Sequence, residues 1–306
     1  MVDESGYELE CRSTWGVAAS AQRKLPRLVI VRSGLMVLML SVAVCGGRGG
    51  APPQPLSGEH VLVFEDEFDG VELNPENWTA KCPGCRQENG EQGAYSAKNV
   101  MVSGGTLKII ARNDGADGLP FTTGRIRSDG LKEFTYGRFS ARIKVPRGRG
   151  FWPAFWMLGS DIHQVGWPRC GEIDIMEAFG DGDWTSGAIH GPFGWFGRHR
   201  FIDKHFPLTS PITGWHEYGL EWDPAFLEWY VDGQKLWRVE RTAVNPWVFS
   251  RPQFLIVSLG VGGFGPHVYN KTTLPFNGVP QETVDIITEG GGVLEVDWVR
   301  VYQRRN

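Results

Sequence analysis

The chain has 306 residues, of which 41% are hydrophobic and 12% aromatic, and its 31 basic and 35 acidic residues leave a net charge of −4. This near balance of charge, with no basic stripe among the aromatic residues, argues against a nucleic-acid partner. The length fits one β domain of about 200–250 residues that follows an N-terminal segment of different composition.

The first 57 residues contain a basic stretch from Arg23 to Arg32, followed by an apolar run from Leu35 to Val44. This order is typical of a secretory signal peptide, and the run is about half as long as a membrane-spanning helix. We expect residues 1–57 to be a leader and tether, removed or disordered, and residues 58–306 to form the folded domain. Cys45 directly follows the run and resembles a lipoprotein cleavage site, so a lipid anchor at the cell surface is the alternative to full secretion.

Three cysteines follow the leader, in Cys82-Pro-Gly-Cys85 and at Cys170. A structural zinc ion needs four ligands, and no histidine stands beside these cysteines. A disulfide within residues 82–85, or one bridge that involves Cys170, suits an exported protein better.

From Val61 onward the sequence alternates apolar and polar residues in short runs, which is the period of half-buried strands. Such runs lie at 61–64, 106–111, 137–145, 216–222, 227–231, 234–239, 254–259 and 293–302. Asp232-Gly233 joins two of them and is a strong signal for a two-residue hairpin turn. These strands, with almost no helical period, predict an all-β sandwich of two antiparallel sheets.

Three carboxylates, Glu172, Asp174 and Glu177, interrupt an apolar run that otherwise predicts a buried strand. Side chains of a regular strand alternate between faces, so Glu177 would point away from the other two acids. A bulge near Ile175-Met176 would return Glu177 to their face. Carboxylates crowded in this way have pKa values that are split apart, which is the arrangement that a two-carboxylate glycosidase needs.

Trp152, Trp156 and Trp167 precede the acids. The apolar face of a sugar ring stacks on an indole, and the indole N–H can donate to a hydroxyl. We therefore interpret these tryptophans as sugar-binding residues. Packing in the core is the alternative for Trp152 and Trp156, whereas the turn around Trp167, flanked by Gly and Pro, favours the cleft.

These motifs resemble glycoside hydrolase family 16, and within it the bacterial endo-β-1,3-glucanases called laminarinases. The resemblance covers roughly residues 64 to 302 and rests on five motifs, Asp66-Glu-Phe-Asp69, Tyr136-Gly-Arg-Phe-Ser-Ala-Arg-Ile-Lys144, Phe151-Trp-Pro-Ala-Phe-Trp-Met157, Gly171-Glu-Ile-Asp-Ile-Met-Glu177 and Val296-Asp-Trp-Val-Arg-Val-Tyr302. It implies a β-jelly roll of the concanavalin A type with a cleft on its concave sheet. It also implies an enzyme that hydrolyses β-1,3-glucan of laminarin or mixed-linkage type. With the N-terminal segment, we expect this enzyme to be secreted, and we expect a monomer.

The resemblance assigns a role to each acid. Glu172 matches the nucleophile, Asp174 the residue that holds and polarises it, and Glu177 the general acid/base of a retaining mechanism with a covalent glycosyl-enzyme intermediate. Such a mechanism needs its two working carboxyls about 5–5.5 Å apart. The resemblance further implies that Asn89 and Arg125 contact the sugar, and that His190 lies on the strand next to the acids.

No cofactor is expected for catalysis, but many family members hold one structural calcium ion far from the acids. Glu67, the backbone of Gly105 and Asp297 match its ligands, and calcium prefers such oxygen donors.

Other readings stay open from the sequence. The substrate could be another polysaccharide, such as agarose or carrageenan, although Met176 argues against the family branches that lack this extra residue. A non-catalytic β-glucan-binding protein is a second class, but the chain keeps all three acids. A metal-dependent hydrolase that uses the acids as ligands is a third class, for which no histidine stands nearby in the sequence.

Overall fold

The computed structural model describes residues 60–81, 89–180 and 182–305. The expected leader with Cys45, and the pair Cys82 and Cys85, lie outside these ranges. Cys170 is buried and its thiol is free. The alternative of a bridge that involves Cys170 is therefore not realised.

The described residues form strands β1 to β17 and helices α1 to α3. In chain order the strands are β1 (His60–Asp66), β2 (Gly93–Tyr95), β3 (Val100–Ser103), β4 (Thr106–Ile110), β5 (Phe121–Thr123), β6 (Arg125–Arg127), β7 (Glu133–Phe134), β8 (Gly137–Lys144), β9 (Phe151–Gly159), β10 (Glu172–Glu177), β11 (Trp184–Gly191), β12 (Arg200–Pro207), β13 (His216–Asp223), β14 (Phe226–Val231), β15 (Gln234–Glu240), β16 (Gln253–Val261) and β17 (Val293–Arg304). The helices are α1 (Ile162–Val165), α2 (Phe264–Asn270) and α3 (Gln281–Thr288).

Most strands belong to two large antiparallel sheets. The sheet that we call the back sheet has eight strands in the order β15-β14-β13-β8-β17-β4-β3, with β1 paired to β17. The other, which we call the cleft sheet, has seven in the order β12-β11-β10-β9-β16-β6, with β7 paired to β16. Strands β2 and β5 form a separate parallel pair. The predicted antiparallel sandwich is confirmed, and β10, which carries the three acids, lies inside the cleft sheet.

The core between the sheets takes alternate residues from each strand. Phe155, Ile173 and Ile189 of three neighbouring cleft-sheet strands are fully buried, as are Phe139 and Leu220 of the back sheet. Each such side chain contributes about 1.5–3 kcal/mol of hydrophobic stabilisation. Because these residues fix which face of each strand points inward, they also fix which side chains point out into the cleft.

The turn at Asp232-Gly233 has the predicted geometry. Asp232 has φ 50° and Gly233 φ 76°, and a two-residue hairpin turn of type I′ requires positive φ at both positions. The three helices were not predicted, because none is longer than eight residues and so none shows a periodic apolar pattern. None of the helices in the described ranges has the length and apolar character needed to cross a bilayer.

Candidate active site

Strand β10 carries the predicted bulge. Its register with β9 shifts between Asp174 and Met176, and its register with β11 shifts between Asp174 and Glu177. Ile175 is 3% exposed and Met176 is 0% exposed, so both pack into the core. Glu177 therefore returns to the outward face that Glu172 and Asp174 occupy, and the prediction of a shared face is confirmed.

The backbone of this bulge is held from the back sheet. Trp229 on β14 donates its indole N–H to the carbonyl oxygen of Asp174 over 2.8 Å. Its ring lies against Gly187 on β11, where an added Cβ would be 2.3 Å from the indole nitrogen. Only glycine fits there, so Trp229 and Gly187 together set the position of Asp174.

Two of the predicted tryptophans donate hydrogen bonds to the glutamates. The indole N–H of Trp152 donates to Glu177 Oε1 over 2.7 Å, and that of Trp167 donates to Glu172 Oε2 over 2.7 Å. Trp156 donates instead to the hydroxyl of Ser258 over 3.1 Å. All three side chains are partly exposed, so they line the cleft and the core alternative for Trp152 and Trp156 does not hold.

His190 lies beside the acids on β11, as the resemblance implied. Its Nε2 is 3.1 Å from Asp174 Oδ2, and its Nδ1 is 3.0 Å from Nε2 of His199. The His199 ring in turn packs against Trp167, with 4.3 Å between ring centroids. His199 was not identified from the sequence, because it follows a loop and no motif marks it.

The charges at this site shift the pKa of each titratable group. Burial raises the pKa of Glu172 and of Glu177 above the ordinary range, and the negative charge of Asp174 raises both further. Burial lowers the pKa of His190, but its hydrogen bond to Asp174 and the charges of the three acids outweigh this and raise it to about 9. His190 is therefore a cation at neutral pH, and a glutamate of this site can keep its proton there.

The cleft also contains a pocket over β9, β16 and β6, on the side of β10 that faces away from His190 and β11. The guanidinium carbon of Arg125 lies 4.0 Å from the ring centroid of Tyr95 and 5.1 Å from that of Trp156. Asn89 also lines this pocket, and its backbone N–H donates to the buried carboxylate of Glu91 over 3.0 Å. Tyr95, Glu91 and Ser258 belong to the pocket as well, although nothing in their local sequence distinguishes them.

The carboxylates predicted to hold calcium each contact an arginine instead. Glu67 Oε1 accepts from Arg300 Nε over 2.8 Å, and Asp297 Oδ2 accepts from a terminal nitrogen of Arg142 over 2.6 Å. A guanidinium beside a carboxylate repels a divalent cation at the same oxygens. Glu67 and Asp297, which were expected to act with Gly105, therefore do not fit a calcium ion.

The expectation that no histidine lies near the acids was wrong, because the fold brings His190 beside Glu172 and Asp174. One atom each of Glu172, Asp174 and His190 lies within 4.8 Å of the others, close enough for a shared cation. The same atoms already have internal partners, since Asp174 faces His190 and Glu172 accepts from Trp167. The arrangement therefore suits two carboxyls that share a proton at least as well as a metal.

Comparison with known proteins gives consistent relatives. A sequence profile of the glycosyl hydrolases family 16 matches residues 88–274. The chain is 34% identical over 242 residues to a beta-glucanase of Rhodothermus marinus, covering 74% of this chain and 84% of that protein. It is 31% identical over 288 residues to glucan endo-1,3-beta-glucosidase A1 of Niallia circulans, covering 84% of this chain but only 40% of that longer protein.

Among solved structures, the chain is similar to the catalytic domain of an endo-1,3-beta-glucanase (laminarinase) from Thermotoga petrophila RKU-1. The TM-score is 0.69 at 35% identity, and the match covers 81% of this chain and 100% of that domain. Laminarinases of this family are jelly rolls, so the predicted jelly-roll fold is confirmed. The matched profile spans more than half of the chain and includes the acid-bearing strand, and the chain therefore belongs to family 16 of the glycosyl hydrolases.

Proposed function

We propose that the protein is an endo-acting glycosidase that hydrolyses β-1,3-glucan, of laminarin or mixed-linkage type, through a covalent glycosyl-enzyme intermediate. The observation that carries this proposal is the outward row of Glu172, Asp174 and Glu177, in which an indole N–H holds each glutamate. The substrate is supported by the relatives, which are named beta-glucanases and endo-1,3-beta-glucanases.

Glu172 is proposed as the nucleophile, because cationic His190 and Arg125 both favour its charged form. Its carboxylate oxygen attacks the anomeric carbon, and the bond from that carbon to the glycosidic oxygen breaks. Glu177 gives its proton to the departing oxygen, so the leaving sugar ends as an alcohol.

Water completes the cycle at the same carbon. Glu177, now a carboxylate, takes a proton from the attacking water, and the ester bond to Glu172 breaks to release the sugar with its original configuration. Asp174 and His190 are proposed as the pair that positions and charges this row, since Asp174 lies between the glutamates and His190 neutralises it. In the adjoining pocket, Asn89, Arg125 and Trp156 are proposed to hold the sugar that is attacked.

The test is release of reducing sugar from laminarin, mixed-linkage β-glucan, agarose and carrageenan by the wild type and by Glu172→Gln. We expect release from laminarin that Glu172→Gln abolishes. Glu65→Gln is the matched control, since Glu65 lies exposed on β1 of the back sheet, and it should keep wild-type turnover.

Other outcomes would replace parts of the proposal. Release from agarose or carrageenan alone would keep the mechanism and change the substrate. Binding of laminarin without release from any of the four glycans would support the glucan-binding alternative. Full turnover by Glu172→Gln would contradict the assigned nucleophile.

We also propose that the enzyme is exported as a monomer with loss of residues 1–57, or held at the cell surface through Cys45. The support is the order of basic and apolar residues in the leader. The mass and N-terminus of the secreted protein test this proposal.

A further inference from the structure

A chain of aromatic rings runs from the proposed acid/base toward the β12 edge of the cleft sheet. Trp152, which holds Glu177, lies 5.2 Å from Phe179 between ring centroids. Phe179 is stacked on Tyr269 of α2, with 5.1 Å between centroids and an interplanar angle of 2°. Tyr269 is 5.0 Å from Trp184, which is stacked on His205 of β12 at 4.6 Å and 5°.

The strand pairing places the end of this chain on the face of the acids. Glu177 pairs with Ser186 on β11, and Ser186 pairs with His205 on β12. Phe206, the next residue, is buried in the core, so His205 points to the opposite side, into the cleft. With neighbouring strands about 4.8 Å apart, His205 lies about 10 Å from the row of acids, which leaves room for a sugar residue between them.

Polar groups accompany these rings. Asp203 also faces the cleft, two residues before His205, and the two side chains are 3.4 Å apart. The hydroxyl of Tyr269 is 2.6 Å from His205 Nε2. Burial, followed by the negative charges of Asp203 and Glu177, raises the pKa of Tyr269 to about 12.

The proposed pocket for the attacked sugar lies on the other side of the acids, over β9, β16 and β6. A chain that fills this pocket and continues past Glu177 must run over β11 and β12. Tyr269 is 41% exposed there although Phe179 covers one of its faces. An exposed aromatic surface beside a carboxylate suits a neutral sugar, whose C–H face stacks on the ring while its hydroxyls donate to the acid.

We propose that Tyr269, Trp184 and His205, with Asp203, form the binding site for the sugar of the leaving group. This inference rests on the proposed function. The residues of this site would determine the kcat/KM for long glucan chains. They would also determine how readily a second sugar chain replaces water as the acceptor.

The test compares two substrates on one enzyme preparation. A laminari-oligosaccharide places a sugar over β11 and β12, whereas β-laminaribiosyl fluoride has a leaving group with neither a sugar nor an aromatic ring. For Tyr269→Ala, the ratio of kcat/KM on the oligosaccharide to kcat/KM on the glycosyl fluoride should fall roughly three- to tenfold, the effect of one lost aromatic contact. His205→Ala, on a separate element, should lower the same ratio.

The ratio does not depend on the folded fraction, because both substrates report on the same folded molecules. Tyr302→Ala on the back sheet is the matched control and should keep the wild-type ratio. An equal loss on both substrates, or an unchanged ratio in both Tyr269→Ala and His205→Ala, would overturn the proposed site. A wild type that cleaves neither substrate would instead overturn the proposed function.

Discussion

At the level of single residues, the two glutamates differ in the charges beside them. Both His190 and Arg125 stabilise the carboxylate of Glu172. The carboxylate of Glu177 is stabilised by His190 but repelled by the negative charge of Glu172. A shared proton therefore resides preferentially on Glu177. The two glutamates of β10 thus differ in protonation because Arg125, on β6, adds to the stabilisation of the Glu172 carboxylate.

This proton gives a stability prediction. An ordinary glutamate loses its proton near pH 4.5, so above that pH the unfolded chain releases a proton that folded Glu177 still holds. Folding stability then falls as the pH rises through this interval, and stays lower above the raised pKa of Glu177. Glu177→Gln removes the effect while its amide can still accept from Trp152. Its melting temperature should match that of the wild type at pH 4 and exceed it by at least about 2 °C at pH 8.5.

Differential scanning calorimetry at the two pH values measures this difference. The control is Glu65→Gln on the exposed face of β1, which removes one carboxylate outside the cleft. A melting temperature that Glu177→Gln changes equally at pH 4 and pH 8.5 would contradict a raised pKa.

At the level of elements, the bulge in β10 determines which face of the strand Glu177 occupies. Glu172 and Glu177 are an odd number of residues apart, so a regular strand would place them on opposite faces. Ile175 and Met176 together oppose Phe155 of β9, and this extra residue restores the shared face. A strand without the extra residue would reach the same arrangement with no bulge.

Deletion of Met176 tests this argument. The remaining Glu-Ile-Asp-Ile-Glu alternates regularly, so all three acids should still face the cleft, and turnover of laminarin should stay well above that of Glu172→Gln. The deletion also removes a fully buried side chain, and we expect a loss of roughly 2–5 kcal/mol of stability.

Met176→Ala is the matched control, because it removes most of the same side chain and keeps the bulge. Both variants should be active at a temperature where circular dichroism shows them folded. A folded but inactive deletion beside an active Met176→Ala would mean that the bulge does more than correct the parity.

At the level of the whole molecule, local patterns predicted the hairpin turn and nine of the 17 strands in the described ranges, namely β1, β4, β8, β10 and β13 to β17. The alternation of neighbouring residues marks these strands, whereas the other eight were not predicted. The long-range contacts were not predictable in this way. His199, Glu91 and Tyr95 reach the site through strand pairing and loops, and their local sequence is unremarkable. Helix α2 is too short for a periodic signal, yet it brings Tyr269 to the cleft.

The predicted calcium ligands also show that local sequence does not reveal long-range contacts. The family resemblance implied that Glu67 and Asp297 are calcium ligands, but β8 and β17 bring Arg142 and Arg300 against them. The pairing of the strands determines which cation contacts each carboxylate. A local sequence motif does not show that an arginine of another strand will contact it.

These ion pairs predict that calcium does not stabilise the fold. A site filled at 100 times its dissociation constant would add about 2.7 kcal/mol, which corresponds to a rise of several degrees in melting temperature. We expect the melting temperatures in EDTA and in millimolar calcium chloride to agree within about 1 °C, and magnesium chloride controls for ionic strength. Activity on laminarin should also survive EDTA, because the proposed chemistry uses only carboxyls. A calcium-specific rise in melting temperature would show that the ion displaces the arginines, whereas a loss of turnover alone would favour a metal at Glu172, Asp174 and His190.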